Sequence, residues 1–191
     1  MKSKKRFGKV LLAVGIMLIS ISAIMVIKYE IHDMKSEKII KDVLRRIEDY
    51  DAQNNDNSTL YRINDTQYIG VLNIPSLDVV LPICSEWNSE NSEKGVCRYS
   101  GSVKEKNFIM AGHNYRSMLR NLSEIETGSE IIITDSDQVE HRYIVTYTEV
   151  IGGYNSEAMT SGEWDMTVFT CTISGNSRYV VRCVLKERAK M

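Results

Sequence analysis

The chain has 191 residues, of which 43% are hydrophobic and 26% are charged, and its net charge at pH 7 is −1. Because five cations precede residue 10, the remainder of the chain carries a net charge of −6. A nucleic-acid-binding protein needs a basic face, so this charge balance argues against a nucleic-acid partner. The length after residue 58 suffices for one hydrophobic core, so we expect a single globular domain there.

The N-terminal segment predicts a membrane anchor. Residues Val10–Ile27 are uncharged and nearly all apolar, close to the minimum length of a bilayer-spanning helix. By the positive-inside rule, residues 1–9 form a cytoplasmic tail, residues 10–27 span the membrane once, and the remainder is extracellular. A cleaved signal peptide and a buried core helix are the alternatives, although no small-residue cleavage pattern follows the apolar run. The cations of the tail are Lys2, Lys4, Lys5, Arg6 and Lys9.

Residues 28–58 predict a stalk helix followed by a linker. Apolar residues recur at helical spacing from about Tyr29 to Tyr50, which predicts an amphipathic helix. We expect this helix to dock on its own domain; binding a partner helix or lying on the membrane is the alternative. Asp51–Ser58 has almost nothing to bury and predicts a flexible linker. The apolar stripe of the helix consists of Ile39, Ile40, Val43, Leu44 and Ile47.

Residues 59–191 predict a mostly β domain, because short β-rich segments alternate with turn residues. One helix, about Ser117–Glu124, interrupts them and stops before Gly128. Closely spaced strands joined by short links favour a mostly antiparallel barrel or sandwich. The predicted strands are Tyr68–Ile74, Val79–Cys84, Asn107–Ala111, Glu130–Thr134, Val139–Ile151, Thr167–Thr172 and Arg178–Lys186.

Cys171, His113 and Arg178 form a candidate catalytic set. A thiol can attack a carbonyl at neutral pH, an imidazole can transfer the proton, and a fixed guanidinium can stabilise the oxyanion. His113 follows a predicted strand and a glycine, a strand-end position where functional side chains often gather. The alternative interpretation takes Cys171 as a buried small hydrophobe. The protein would then be a membrane-anchored, non-catalytic β-domain that binds a surface ligand.

The segment Thr167-Val168-Phe169-Thr170-Cys171 resembles the sortase motif Thr-Leu-X-Thr-Cys, with Val168 where leucine is usual. Residues 69–75, continuing to residues 81–83, resemble the opening strands of a sortase barrel. Residues 178–183 resemble its last strand, with Cys183 where the family more often has alanine or glycine. The resemblance covers about residues 68–185. It implies a sortase-like closed β-barrel with one or two short helices.

The resemblance implies a cysteine transpeptidase of Gram-positive cell surfaces. Sortases cut a sorting signal, commonly of the Leu-Pro-X-Thr-Gly type, through a thioacyl intermediate. They join the new carboxyl end to an amine of the cell wall or of a pilin, so a sorting-signal peptide and such an amine are the implied partners. Cys171 corresponds to the nucleophile, His113 to the acid and base, and Arg178 to the residue that binds the substrate backbone or the oxyanion. Thr170 either assists the oxyanion site or is a β-branched strand residue.

A hairpin register connects Arg178 to Cys171. If Gly175-Asn176 forms a two-residue turn, Cys171 pairs with Val180, and Arg178 is a diagonal neighbour of the cysteine on the same face. Arg182 is the other diagonal neighbour. We expect Arg182 to be a surface or groove-wall charge, because it lies further into the strand.

The remaining histidines and cysteines give weaker signals. His32 and His141 are predicted to be solvated or interfacial. Cys84 and Cys97 form the best disulfide pair, and the alternative is that both are free and packed, like Cys183. No cysteine pair has metal-ligand spacing and no two histidines are close in sequence, so we expect no metal and no cofactor, with calcium dependence left open.

Other cysteine enzymes match less well, and the sortase class stays open. Papain-like proteases carry the cysteine before the histidine, and the Gln-Ala-Cys context of caspases is absent. The prolines, Pro75 and Pro82, do not supply the Asp-Pro lid of pilus-building sortases. The segment between Ile151 and Thr167 leaves little room for the long helix of class B sortases. Gly112-His113-Asn114 nevertheless resembles the corresponding segment of class B sortases.

Overall fold

A computed structural model describes residues 2–53 and 60–190 of the chain. It divides into two compact units, Met1–Lys35 and Ser36–Met191. The helices are α1 (Lys2–Gln53) and α2 (Ser156–Thr160), with short 3-10 helices at Pro75–Leu77, Asn91–Glu93 and Arg120–Glu124. The strands are β1 (Tyr61–Ile63), β2 (Thr66–Ile74), β3 (Val79–Cys84), β4 (Val96–Ser100), β5 (Phe108–Gly112), β6 (Glu130–Asp135), β7 (Val139–Gly152), β8 (Met166–Cys171) and β9 (Ser177–Lys190).

The first unit is helical and carries the apolar segment. The segment Gly8–Asp51 of α1 is long and apolar enough to cross a membrane, and none of its most apolar window is buried. Leu12 and Ile19, for example, are 66% and 71% exposed. A core helix buries such side chains, so this exposure argues against the core-helix alternative. The composition and exposure of this helix indicate a membrane anchor.

The later part of α1 packs on the β-domain through the predicted apolar stripe. Ile40 is buried in the main core of the domain, and Leu44 packs against that core. Val43 and Ile47 are buried in a second cluster that includes Tyr68. The predicted docking of the stalk helix on its own domain is therefore confirmed. Of the predicted linker, residues 51–53 are helical and residues 54–58 lie outside the described residues.

Eight strands close into a barrel in the order β2-β3-β4-β5-β8-β9-β7-β6, and β6 pairs back with β2. Strand β1 adds an antiparallel hairpin outside the ring. The pairs β3–β4 and β5–β8 are parallel, and the other pairs are antiparallel. At the closing seam a Cβ on Gly70 would lie 2.3 Å from the Thr134 carbonyl oxygen, so the close approach of β2 and β6 requires glycine there. The predicted closed, mostly β barrel is confirmed.

Strand β8 is buried on both faces, and the alternation of its side chains determines which face Cys171 shares. Met166 and Val168 face the barrel core. Phe169 packs outside the barrel in a cluster with Val180 and with Met159 of α2. Side chains alternate along a strand, so Cys171 shares the outer face of Phe169 and is the first residue beyond this cluster.

All seven predicted strands are present, and the largest difference is that β9 extends to Lys190. Strands β1 and β4 and helix α2 were not predicted from the sequence. Strand β4 reads Val-Cys-Arg-Tyr-Ser and lacks a regular apolar alternation, whereas β1 and α2 have only three and five residues. The predicted helix Ser117–Glu124 is instead a 3-10 helix limited to Arg120–Glu124.

The predicted β8–β9 register is wrong by two residues, because Cys171 pairs directly with Arg178 and not with Val180. The turn lies earlier than expected: the N–H of Gly175 donates to the Thr172 carbonyl, and Gly175 has φ +74°. The Thr172 hydroxyl also lies 3.1 Å from the Ser174 hydroxyl. Such local side-chain bonds stabilise a longer loop than the two-residue turn that the Gly-Asn pair indicates.

The expectation for Arg182 is also wrong. Arg182 is not a surface charge but is 2% exposed, because α2 packs over it. Its guanidinium donates to the carbonyls of Ala158 and Met159, to the Thr167 hydroxyl and to Glu149. Four acceptors thus compensate the burial of the cation.

The expectation that His141 is solvated or interfacial is wrong, because this side chain is buried. His32 is exposed, as predicted. The Nε2 atom of His141 lies 2.8 Å from a carboxylate oxygen of Asp135, since the β6–β7 hairpin brings the two together. Burial alone would raise the pKa of Asp135. Hydrogen bonds from His141 and from the backbone N–H groups of Val139 and Asp137 outweigh that effect and lower the pKa.

Candidate functional site

The ends of β5, β8 and β9 bring the three candidate catalytic residues together. Gly112 of β5 pairs with Thr170 of β8 at the end of the parallel ladder, so His113 and Cys171 are the next residues along the two chains. Cys171 pairs with Arg178 across the antiparallel ladder. Directly opposite residues of a ladder share a face, so the thiol and the guanidinium project from the same side of the sheet.

Cys171 differs from the other cysteines in its exposure. It is half-buried, whereas Cys84, Cys97 and Cys183 are fully buried, and all four are free thiols. Cys84 and Cys97 are register partners across β3 and β4, and both are free thiols, so the structure has the free, packed alternative and not the disulfide. Burial raises the pKa of Cys183, and a hydrogen bond with Cys97 together with burial raises the pKa of Cys84. These two thiols are therefore poor nucleophiles.

Asn114 connects the histidine loop to the cysteine. Its side-chain Nδ2 donates to the Cys171 carbonyl oxygen over 2.7 Å. This hydrogen bond joins the residue after His113 to the last residue of β8, where the regular ladder has ended. Gly112, on the other side of His113, faces the core, where an added Cβ would lie 2.8 Å from Leu119 Cδ1 and 3.0 Å from Val96 Cγ1. Both neighbours of His113 thus fix the local path of the chain.

Polar and aromatic groups surround the imidazole of His113. Its Nε2 atom lies 3.2 Å from the Ser92 hydroxyl oxygen and 3.5 Å from a carboxylate oxygen of Glu93. The ring stacks on Tyr115, with centroids 4.8 Å apart and an interplanar angle of 25°, and Trp87 lies at 6.1 Å. The side chain remains 30% exposed, so solvent or a ligand can reach the ring.

The guanidinium of Arg178 is held at the tip of the β8–β9 hairpin. Its Nη1 donates to the carbonyls of Gly175 and Ser177, each over 3.1 Å. Gly153 follows β7 and lies against this group, so that a Cβ there would approach Nη1 to 3.0 Å. Both acceptors are neutral carbonyl groups. No carboxylate among these two hydrogen-bond partners compensates the positive charge of Arg178. Such a cation can stabilise a developing oxyanion.

Thr170 is buried, and its hydroxyl donates to the Gly112 carbonyl oxygen over 2.9 Å. The hydroxyl therefore joins β8 to β5. Of the two interpretations of Thr170, this geometry favours the structural role, and only its backbone lies beside the nucleophile.

A surface cavity of about 680 Å³ lies elsewhere on the described part of the chain. Its lining includes Arg62, Arg98, Lys104 and Asp137, but none of the candidate catalytic residues. No group of three or more potential metal ligands occurs among residues whose positions are described.

Sequence reasoning missed Ser92, Glu93 and Asn114 as members of the site. Asn114 had a signal, since it follows His113 directly in the Gly-His-Asn segment. Ser92 and Glu93 had none, because they lie in the connection between β3 and β4, and only the folded barrel brings them to His113.

Comparison with known proteins identifies the domain. Residues 72–186 match the family model described as the sortase domain. A search of curated proteins found no match.

Several solved structures share the fold. Listeria monocytogenes sortase A is similar with 22% identity and a TM-score of 0.60, over 65% of this chain and 90% of that chain. Clostridium perfringens sortase D5 transpeptidase is similar with 20% identity and a TM-score of 0.61, over 81% of this chain and 99% of that one. Sortase C1 of GBS pilus island 1 has 20% identity and a TM-score of 0.59, over 65% and 66% of the respective chains.

Proposed function

This chain belongs to the sortase family, and we propose that it is a cysteine transpeptidase that uses Cys171, His113 and Arg178. We propose further that its substrate is a sorting signal of the Leu-Pro-X-Thr-Gly type. The acceptor is an amine of a cell-wall precursor or of a pilin subunit, on the surface of a Gram-positive cell.

One observation carries the assignment of the residues: three adjacent strand ends bear a half-buried thiol, an imidazole and a guanidinium at one level of the barrel. Cys171 pairs with Arg178, and Asn114 joins the histidine loop to the Cys171 carbonyl. The exposure of Cys171 argues against the alternative of a core cysteine in a non-catalytic domain, because the three other cysteines are fully buried.

The proposed reaction has two steps of acyl transfer. The Cys171 thiolate attacks the threonine carbonyl carbon, a C–S bond forms, and Arg178 stabilises the negative carbonyl oxygen. The C–N bond then breaks, and imidazolium His113 gives its proton to the departing amine. In the second step the incoming amine attacks the thioacyl carbon and loses a proton to His113. The C–S bond breaks, so the thiolate and the imidazolium are both restored.

The apolar helix supports a membrane location for this reaction. Cations precede the apolar segment without any acidic residue, so we propose that the N-terminus is cytoplasmic and the barrel extracellular. Protease added to intact cells should then digest the barrel, while the chain fractionates with membranes. A mature form that begins near Lys28 in the culture medium would instead mean that the helix is a cleaved signal.

A peptide panel tests the proposed activity. Full-length protein in detergent micelles is incubated with sorting-signal peptides and an amine acceptor, and the joined product is detected by mass spectrometry. We expect a product for at least one peptide of the Leu-Pro-X-Thr-Gly type. Absence of both the product and the hydrolysed peptide across the panel, with folded protein, would contradict the proposal.

A further inference from the structure

We propose that Ser92 and Glu93 are positioning residues that hold His113 with a proton on Nε2, so that Nδ1 is the nitrogen that exchanges the catalytic proton. This inference rests on the proposed function of His113 as acid and base. In this proposal Ser92 and Glu93 act through His113 and exchange no proton with the substrate.

The hydrogen bonds of Ser92 determine the direction of its contact with the imidazole. Ser92 is 2% exposed, and its hydroxyl donates to the Ser89 carbonyl over 3.1 Å. A hydroxyl has one proton, and a carbonyl can only accept. When that proton is donated to Ser89, the same oxygen, 3.2 Å from His113 Nε2, accepts from the ring, which places a proton on Nε2.

Glu93 presents a second acceptor to the same nitrogen. Its Oε1 lies 3.5 Å from His113 Nε2, and an ionised carboxylate can only accept hydrogen bonds. The carboxylate is itself held from two other elements: the Tyr115 hydroxyl lies 3.2 Å from Oε1, and the Ser36 hydroxyl of α1 lies 3.1 Å from Oε2. The docked part of α1 thus helps to orient the group that orients the histidine.

The turn that carries both residues is fixed by its own hydrogen bonds. The side-chain oxygen of Asn88 accepts from the backbone N–H groups of Glu90 and Asn91. The Asn91 side chain in turn donates to the Glu86 carbonyl over 3.2 Å. These bonds hold the 3-10 helix Asn91–Glu93, so adjacent side chains of one short turn reach the imidazole with little freedom to move.

A nearby carboxylate also favours the protonated form of an imidazole. Among the described residues, Glu93 of the β3–β4 connection and Tyr115 of the loop after β5 contact the ring, and the titratable thiol of Cys171 lies at the adjacent strand end. In the proposed cycle His113 begins as imidazolium, and in that form too the Glu93 carboxylate is an acceptor 3.5 Å from Nε2.

Nitrogen NMR of the full-length chain tests the tautomer without any turnover. The protein is labelled with 15N-histidine in detergent micelles, and the His113 signals are assigned with His113→Gln. We expect the neutral ring to carry its proton on Nε2. In Glu93→Gln the midpoint of the His113 titration should move to lower pH. A neutral ring with its proton on Nδ1 would overturn the inference.

Glu90→Gln is the matched control, because it removes the same charge from the same turn. Glu90 pairs with Lys94 over 2.7 Å and is highly exposed, so the titration of His113 should be unchanged. Equal shifts in Glu90→Gln and Glu93→Gln would show that only overall charge matters, which would overturn the inference.

Kinetics supply the second readout. Glu93→Gln should lower kcat by about tenfold with little change in KM, a part of what general acid–base catalysis contributes. Glu93→Asp keeps the charge and should retain more activity than Glu93→Gln, at matched unfolding curves. Unchanged kcat in Glu93→Gln would contradict the positioning role. If no peptide is turned over at all, the proposed function fails, whereas the NMR result still decides the tautomer.

Discussion

The two ends of the β8–β9 ladder carry the same chemical groups in opposite environments. At the hairpin end Cys171 and Arg178 face each other, both half-buried, and the guanidinium donates to two loop carbonyls. Further along the ladder, Cys183 is fully buried and Arg182 is 2% exposed. The inner guanidinium contacts Glu149 and three neutral acceptors.

This contrast shows that position in the ladder, more than residue type, determines what each group can do. The inner arginine makes four hydrogen bonds to protein acceptors and stabilises the packing of α2 on the barrel. The outer arginine has its charge at a strand end beside a thiol. Substitutions at the outer end should therefore change turnover, and substitutions at the inner end should change stability.

Cys171→Ala should have the largest effect. Without the nucleophile, turnover of a sorting-signal peptide should fall at least about 10³-fold, to the background rate. Cys183→Ala is the control from the inner end and should keep turnover within about threefold, since its thiol is buried in the barrel core. Product mass spectrometry measures both. Persistent turnover by Cys171→Ala would exclude this residue as the nucleophile.

Arg178→Lys should reduce turnover by about 10²-fold with an unchanged melting curve. An ammonium cannot reproduce the planar fork of donors, and the size corresponds to the loss of one oxyanion donor. Steady-state kinetics beside circular dichroism melts checks the result. Normal turnover in this variant would remove Arg178 from the mechanism.

Arg182→Lys should instead lower the free energy of unfolding by about 2 kcal/mol, because a lysine leaves buried acceptors without donors. Denaturant unfolding measures this loss. Turnover per folded molecule should fall by less than about tenfold. A variant that is fully stable and yet inactive would reverse the roles of the two arginines.

Thr170→Val should have the smallest effect. It removes the hydrogen bond to the Gly112 carbonyl at similar side-chain volume, so the expected loss of unfolding free energy is about 1 kcal/mol. Turnover should change by less than about tenfold, because the hydroxyl is engaged in the barrel wall. A loss of 10²-fold or more at unchanged stability would instead assign the hydroxyl to the oxyanion site.

Much of the fold was predictable from local pattern. The period-two strands, the stalk stripe and the position of Cys171 at a strand end follow from residue spacing, and the stripe residues Ile40, Val43 and Ile47 are buried as predicted. The β8–β9 register was not predictable, because the hydroxyls near Gly175 stabilise a longer loop than the Gly-Asn pair indicates.

The burial of Arg182 depends on α2, which is short and was not predicted. The contact between Glu93 and His113 depends on the folding of the β3–β4 connection against the end of β5. Both are long-range contacts that leave no periodic signal in the sequence, and this is why the candidate site was predicted only in part.

Trapping the thioacyl intermediate decides whether Cys171 is the nucleophile. Full-length protein is incubated with a sorting-signal peptide in the absence of an amine acceptor, quenched in acid and mapped by peptide mass spectrometry. We expect an added mass, equal to the acyl fragment, on the peptide that contains Cys171. An adduct on Cys84, Cys97 or Cys183, or product formation without any adduct on Cys171, would contradict it.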